Sequence, residues 1–383
     1  MPESRFASPP VFEVVGHVEN PPGPPPRVAA TLATTPVAFA GPSQARAPKG
    51  TIIGGQWIET ARGLLDRITG GGPSGGSPGP LVESNSPMQR PDLSEGDVAA
   101  LRASYVSGSH IDENGEWTPE RKELHEKIVN DFLSGVEPAP EGEAEAFFNG
   151  GGPGSGKSSF TSGTIDAGYP PTRGVNDMTG EMDFAGMPNP GAALVDPDSI
   201  KMQLPEVKSM RESLRLDGNM TGGVGASWAS ESHEESSYIA KMVYAEAIRR
   251  NLPVVYDGTG TKIIGKAQEA LDGGYKSVKA NYMYVEPEQA LVSAIERAGR
   301  IGRNVPPKLQ ANQYRDMPAA FDAVSKSGIF KEVNLFDRNG VSKGESIPKI
   351  FEVLPSGERK ILDQAAYDRF LSSGTRLPDV SGL

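Results

Sequence analysis

From residue 118 onward the hydrophobic positions follow two alternating periods. In WTPERKELHEKIVNDFLSG, Leu124, Ile128, Val129, Phe132 and Leu133 recur at offsets of three and four. That spacing predicts a helix with a buried stripe, Thr118 as its N-cap and Pro119 in its first turn. EAEAFFNG then reads as a short strand, and strand-like and helix-like pieces alternate after it. AALVDPD is a strand ending in carboxylates; HEESSYIAKMVYAEAIRRN is a long helix with Ile239, Met242, Val243 and Ala247 inward. LPVVYDGTG predicts a strand, 262–272 a helix, SVKANYMYVEP a strand, and EPEQALVSAIERAGR a helix that Pro287 helps start. FKEVNLFDRNG closes the series. From 346 on, KIFEVLPSGERKIL reads as a hairpin turning at Pro355-Ser356-Gly357, followed by a terminal helix.

Val-rich strands alternating with helices predict the α/β class: a parallel sheet with helices on both faces and right-handed crossovers. Ligands of such sheets sit at the carboxyl ends of the strands. Three strands end in chemically distinctive residues there: Gly151 onward, Asp196/Asp198, and Asp257.

Residues 1–91 break this pattern. They hold sixteen of the chain's 34 prolines, in blocks such as NPPGPPPR and GGGPSGGSPGP, which predicts a long, mostly disordered Pro/Gly-rich N-terminal arm. One island, GGQWIETARGLLDRI, places Trp57, Ile58, Ala61, Leu64, Leu65 and Ile68 on one face of a short amphipathic helix over 56–68. Alone it is marginal, so it either docks in cis, binds a partner, or stays without order. The domain reading is therefore arm 1–91, folded α/β domain 92–345, and C-terminal hairpin and helix 346–383. Residues 167–190 fit no alternation and read as an insertion near the site.

Composition narrows the chemistry. The 383 residues contain no cysteine, which excludes disulfides and thiolate metal sites, and the four histidines lack zinc spacing. A net charge of −11 argues against nucleic acid and against an anionic membrane surface as partners. The N-terminus lacks the basic-then-apolar signature of a secretory leader, and no apolar run is long enough to span a bilayer. Together these predict a cytoplasmic protein.

The stretch FFNGGGPGSGKSSF contains G-x-x-x-x-G-K-[ST] as Gly151, Gly156, Lys157 and Ser158, between a predicted strand and a predicted helix. Its glycines let backbone N–H groups turn toward a polyphosphate, so Gly151, Gly152, Pro153, Gly154, Ser155, Gly156, Lys157, Ser158 and Ser159 are the candidate ATP-binding residues. Lys157 would reach the β and γ oxygens, and Ser158 would ligate Mg²⁺. No N/T-K-x-D is present for guanine, and no hydrophobic strand ends in Asp-Glu as in motor ATPases. Asp198 suits a carboxylate facing the γ-phosphate and accepting a proton from a substrate hydroxyl. DPDSIK is also a good helix start, so one aspartate can cap while the other acts.

GGGPGSGKSSF, VDPDSIK, HEESSYIAKMVYAEAIRRNLPVVYDGTGT, GGYKSVKANYMYVEPEQALVSAIERAGRIGRNVP and GIFKEVNLFDRNG resemble the zeta toxin family, in that order and at similar spacing across residues 118–340. The resemblance implies a P-loop kinase-like fold and a kinase that uses ATP and Mg²⁺ to phosphorylate UDP-N-acetylglucosamine at the 3′-hydroxyl of its amino sugar, restrained by a small antitoxin. It implies catalytic roles for Lys157, for Asp198 as general base, and for Arg297 and Arg303, which neutralise the transferring phosphoryl group. It implies substrate contacts from Glu234, Ser237, Asp257 and Thr259. In Arg297's other reading it belongs to a solvated helix face, opposite a Leu291/Ile295/Ala298 stripe; Arg303 follows in a Gly-Pro-rich loop resembling a lid. Two departures bear on the acceptor: Thr261 and Lys262 stand where characterised members often carry a basic residue first, and the 167–190 insertion adjoins the pocket.

Three functions stay open on this reading. One is a kinase of a nucleotide sugar; a second is the same chemistry on another hydroxylated small molecule. The third is a phage- or assembly-associated protein whose arm tethers the P-loop domain to a partner as cargo or as an ATP-binding module.

Overall fold

The lead-in helix α1 (Pro119–Leu133) begins where the Thr118 hydroxyl accepts from the Arg121 amide at 3.4 Å, with Pro119 supplying a pre-set first turn. Ile128, Val129, Phe132 and Leu133 are buried as their spacing predicts, but Leu124 is only half-buried. Arg121 and His125 take the inward positions above them, because Glu235, far along the chain, meets both. Arg121 donates to Glu235 at 2.5 and 2.7 Å and to Glu206 at 2.9 and 3.0 Å; His125 Nε2 lies 2.6 Å from Glu235. Burial, with Arg121 nearby, brings the His125 pKa down to about 3, so its ring is neutral and donates through Nε2–H.

The structure, a computed structural model, describes residues 88–378 except 89, 93, 97, 99–109, 113, 162–167, 173–174, 176–181, 183–190, 217–231, 302, 304 and 343–344. All of them belong to one unit, Ile52–Leu383. The arm before residue 88, with its 56–68 segment, and most of the 167–190 segment lie outside the described residues.

Among the described residues, seven strands form one sheet: β1 (Glu145–Gly150), β2 (Ala193–Val195), β3 (Val254–Asp257), β4 (Ser277–Tyr284), β5 (Glu332–Asp337), β6 (Lys349–Val353) and β7 (Arg359–Ile361), in the order β2-β3-β1-β4-β5-β6-β7. The first five are parallel and the last two antiparallel. Hence β1, which leads into the glycine-rich loop, lies between β3 and β4, and the carboxyl ends of β2, β3 and β1 are neighbours. The tail continues this sheet: Gly357, at φ +81°, turns β6 into β7.

The helices are α2 (Ser158–Thr161), α3 (Pro197–Lys201), α4 (Pro205–Leu216), α5 (His233–Arg249), α6 (Ile263–Asp272), α7 (Pro287–Ile301), α8 (Pro307–Lys326) and α9 (Gln364–Ser373). α4 and α8 are absent from the sequence-based series. In α8 the buried positions Gln310, Tyr314, Met317, Phe321 and Val324 have helical spacing, but they are diluted by polar residues and interrupted by Pro318.

The pleat sends alternate residues of β1 to opposite faces. Ala146 and Phe148 enter the main core with Val254, Tyr282 and the inward residues of α1, α5, α6, α8 and α9. Phe147 joins Leu194, Val255 and Tyr169 on the other face, where Phe160 of α2 also packs with Met283 and Phe336. Ile239, Met242, Val243 and Ala247 of α5 are fully buried, and burying a side chain of the Val/Ile/Met size contributes roughly 1.5–3 kcal/mol. Among the described residues, no helix is long and apolar enough to cross a membrane.

Candidate functional site

The loop after β1 is held open by its own turns and neighbours. The Gly151 amide donates to the Thr259 carbonyl (3.0 Å) and the Ser155 amide to the Gly152 carbonyl (3.2 Å), after which Ser159 and Phe160 bond back to Gly156 and Lys157 as α2 starts. Gly154 sits at φ +79°, and a Cβ there would stand 2.2 Å from the Ala290 carbonyl of α7, so only glycine lets α7 approach. Ser155 is fully buried and its Oγ has no partner. The Lys157 ammonium folds over the loop and donates to the Gly151 carbonyl at 2.8 Å and to the Gly152 carbonyl at 3.4 Å.

Burial lowers the Lys157 pKa; Asp257 and Asp196 oppose that shift, while Arg303 and Arg297 reinforce it. These five charged groups therefore share one local field, across the ends of β1, β2 and β3 and the α7–α8 region. A glycine-lined loop, an orphaned buried hydroxyl and a lysine that donates to carbonyls of its own loop fit a polyphosphate. Ser158, exposed at the first position of α2, fits one ligand of Mg²⁺. Among the described residues no three His, Cys, Asp or Glu cluster as a metal cage, a set Mg²⁺ does not need when phosphates complete its shell.

The two aspartates after β2 have separate tasks. Asp196 is the N-cap of α3: its carboxylate accepts from the amides of Asp198 (3.0 Å) and Ser199 (3.2 Å) and from the Ser199 hydroxyl. The Asp198 side chain, 37% exposed, forms an ion pair with Arg303 from the α7–α8 connection. Lys201, one turn later and buried, lies 3.8 Å from Asp198 and 3.2 Å from His233 Nδ1. It ties Asp198 to the start of α5. Nothing in the sequence-based reading pointed to Lys201; its i+3 spacing from Asp198 was the available signal.

Arg297 is half-buried. The inward stripe of α7 consists of Ala290, Leu291, Ala294 and Ile301, whereas Ile295 is 52% exposed. This corrects the expected Leu291/Ile295/Ala298 stripe: the helix is rotated so that its small residues meet the loop.

At the start of α5, Ser232 is fully buried with φ +49°, a left-handed conformation unusual outside glycine. Burial holds the His233 ring neutral, its pKa brought down to about 3 with Lys201 adding to the shift. Glu234 is buried, its Oε2 has no partner, and burial pushes its pKa up to about 7 against the pull of Lys201. Ser237 is half-buried one turn further. Asp257 ends β3 in register with Asn149 of β1. Its Oδ1 is buried without a partner; burial raises its pKa while Lys157 lowers it. The Thr259 hydroxyl lies 2.9 Å from that of Thr261, and Lys262 is the N-cap of α6. Asn149 is a second residue the sequence reading missed: it is fully buried beside Asp257.

The family model described as Zeta toxin matches residues 134–343, more than half of the chain. The chain belongs to the zeta toxin family. Every charged residue placed around the loop above lies inside the matched span, while α1 and the β6–β7–α9 tail lie outside it. No curated protein matches the chain. Among solved structures, this zeta toxin family chain is similar to the AvrRxo1-ORF1:AvrRxo1-ORF2 complex with sulphate ions, at 17% identity and a TM-score of 0.48, covering 76% of this chain and 81% of that one. The same pair with ATP gives 17% identity and a TM-score of 0.47 over the same shares. A structure from the PezAT chromosomal toxin-antitoxin system of Streptococcus pneumoniae gives 14% identity and a TM-score of 0.42, covering 68% of this chain and 95% of that one.

Proposed function

We propose that this protein is an ATP-dependent small-molecule kinase that phosphorylates a sugar hydroxyl of UDP-N-acetylglucosamine or a related nucleotide sugar. The observation that carries the reading is the Asp198–Arg303 ion pair beside the Lys157 loop, since Arg303 also acts on the Lys157 ammonium. A base candidate and a phosphate cradle thus share one sheet edge. ATP would lie in the glycine-rich loop, with Lys157 turning from the Gly151 carbonyl to its phosphate oxygens. Ser158 would hold Mg²⁺, which supplies charge neutralisation on those oxygens when bound.

The acceptor hydroxyl attacks the γ-phosphorus, the bond to the ADP oxygen breaks, and Asp198 takes the hydroxyl proton. Arg303 and Arg297 turn to the transferring phosphoryl oxygens, and this releases Asp198 from its ion pair for that role. Glu234, Ser237, Asp257 and Thr259 border the acceptor side. Family membership brings with it the expectation of a small antitoxin as partner.

The test incubates the purified chain with ATP, Mg²⁺ and, separately, UDP-N-acetylglucosamine, other nucleotide sugars and hydroxylated molecules without a nucleotide. Products are followed by mass spectrometry. Phosphorylated nucleotide sugar supports the reading. Phosphorylation confined to the non-nucleotide acceptors moves the substrate class, and no ATP consumption with any acceptor overturns the kinase assignment.

A further inference from the structure

The segment FKEVNLFDRNG carries family resemblance, yet the mechanism above gives its arginine no task. Arg338 follows the last residue of β5, and its amide donates to the Tyr284 carbonyl at the end of β4 (2.9 Å). This places it at the carboxyl edge of the sheet, on the side of β1 away from β3 and β2. Its side chain crosses the glycine-rich loop. A Cβ added to Gly156, at φ +93°, would stand 2.5 Å from Arg338 Nη1, 3.0 Å from its Cδ and 3.1 Å from its Cζ. The missing side chain of Gly156 is thus filled by a guanidinium.

The neighbouring acids are already engaged. Asp337 accepts from the Asn339 amide and side chain with one oxygen, and its other oxygen lies 3.2 Å from Arg369. Glu286 lies 3.2 Å from Arg376, and its amide donates to the Asn339 side chain at 2.9 Å. The turn is therefore braced on both sides, with each carboxylate matched to its own arginine. The half-buried Arg338 has no ion-pair partner among the described residues. A cation held by a rigid turn against a phosphate loop, with its nearby carboxylates matched elsewhere, is complementary to an incoming anion.

We propose that Arg338 binds the donor nucleotide at its nucleoside end. The direction follows from the sheet order. The acceptor-side groups Asp198 and Asp257 lie over β2 and β3, so a terminal phosphate facing them directs the rest of the nucleotide toward β4 and β5, where Arg338 stands. A guanidinium suits that end, since it stacks on planar rings. The inference rests on the phosphate-donor reading above, and the test separates the two.

Calorimetric titration of the full chain measures the binding of MgATP, MgADP and magnesium tripolyphosphate to the wild type and to Arg338→Ala and Arg338→Lys. The expected result is a loss of about 10- to 100-fold for both ATP and ADP in Arg338→Ala. Arg338→Lys recovers only part of it, tripolyphosphate binding changes little, and the ligand-free melting temperature stays the same. If Arg338→Ala does not fold, Arg338→Gln, which keeps most of the stem, carries the same comparison. Wild-type protein that binds no nucleotide overturns the donor reading itself. Wild-type binding matched by every Arg338 variant overturns only this inference. An equal loss for ATP and tripolyphosphate overturns the assignment to the nucleoside end.

Discussion

In the proposed mechanism Lys157 and Asp198 stand on opposite sides of the transfer, and their substitutions should separate binding from chemistry. Lys157→Ala removes the ammonium that meets the phosphates, so ATP binding is lost in titration. Asp198→Ala leaves the loop intact; ATP still binds, and turnover falls about 10²–10⁴-fold, the range for a general base. Equal loss of ATP affinity in both variants would contradict this division. Glu234 supplies a pH signature. Folded, it holds its proton up to about pH 7, against an ordinary value of 4.5. Between those values the folded state binds more protons than the unfolded state, so this residue's contribution to stability falls as pH rises, by at most about 3 kcal/mol. Urea unfolding of wild type and Glu234→Gln at pH 5, 6 and 7 should show the variant gaining on the wild type as pH rises. Parallel stabilities across that range would show that Glu234 titrates normally. Lys157 and Asp198 were legible as candidates because each sits in a short local motif; the state of Glu234 was not, because burial by distant elements sets it.

At the scale of elements, α1 and α5 are joined by a buried ionic clamp as well as by apolar contact. Arg121 and Glu235 are 5% and 0% exposed, so neither charge can turn to water if its partner is removed. Arg121→Ala is expected to destabilise the fold by about 3–5 kcal/mol in urea unfolding. A single variant within 1 kcal/mol of wild type would show that solvent reaches the pair. The period of α1 predicted its apolar stripe, and Thr118 and Pro119 marked its start, because capping and amphipathic spacing act within a few residues. Arg121 and His125 were not named in that stripe, since their partner lies 110 or more residues away. α8 escaped for a related reason: its stripe is spread among polar residues around Pro318, and only the packing of Tyr314 and Phe321 shows which face is inside.

On the scale of the whole molecule, the tail beyond the matched family span is part of the main core. The Phe370 ring packs edge-on against Phe321 at 5.2 Å and against Tyr284 at 5.3 Å, while Tyr367 stacks on Phe351. Phe370→Ala should therefore cost about 3–5 kcal/mol of stability, measured by urea unfolding. A cost below about 1 kcal/mol, the level of a surface change, would mean that the tail packs loosely.

By itself, the chain determined its strands and most of its helices, the turn at Gly357, the glycine-rich loop and the aspartates after β2. Each of these depends on backbone preference, capping or side-chain period within a short stretch. Tertiary structure alone decided the β2-β3-β1-β4-β5 order that sets the ends of β1, β3 and β2 side by side, and it set the Asp198–Arg303 pair, the clamp on Glu235 and the reach of Arg338 across Gly156. Strand order and charge pairing depend on distances through space between residues far apart in the chain, and no local pattern encodes those distances.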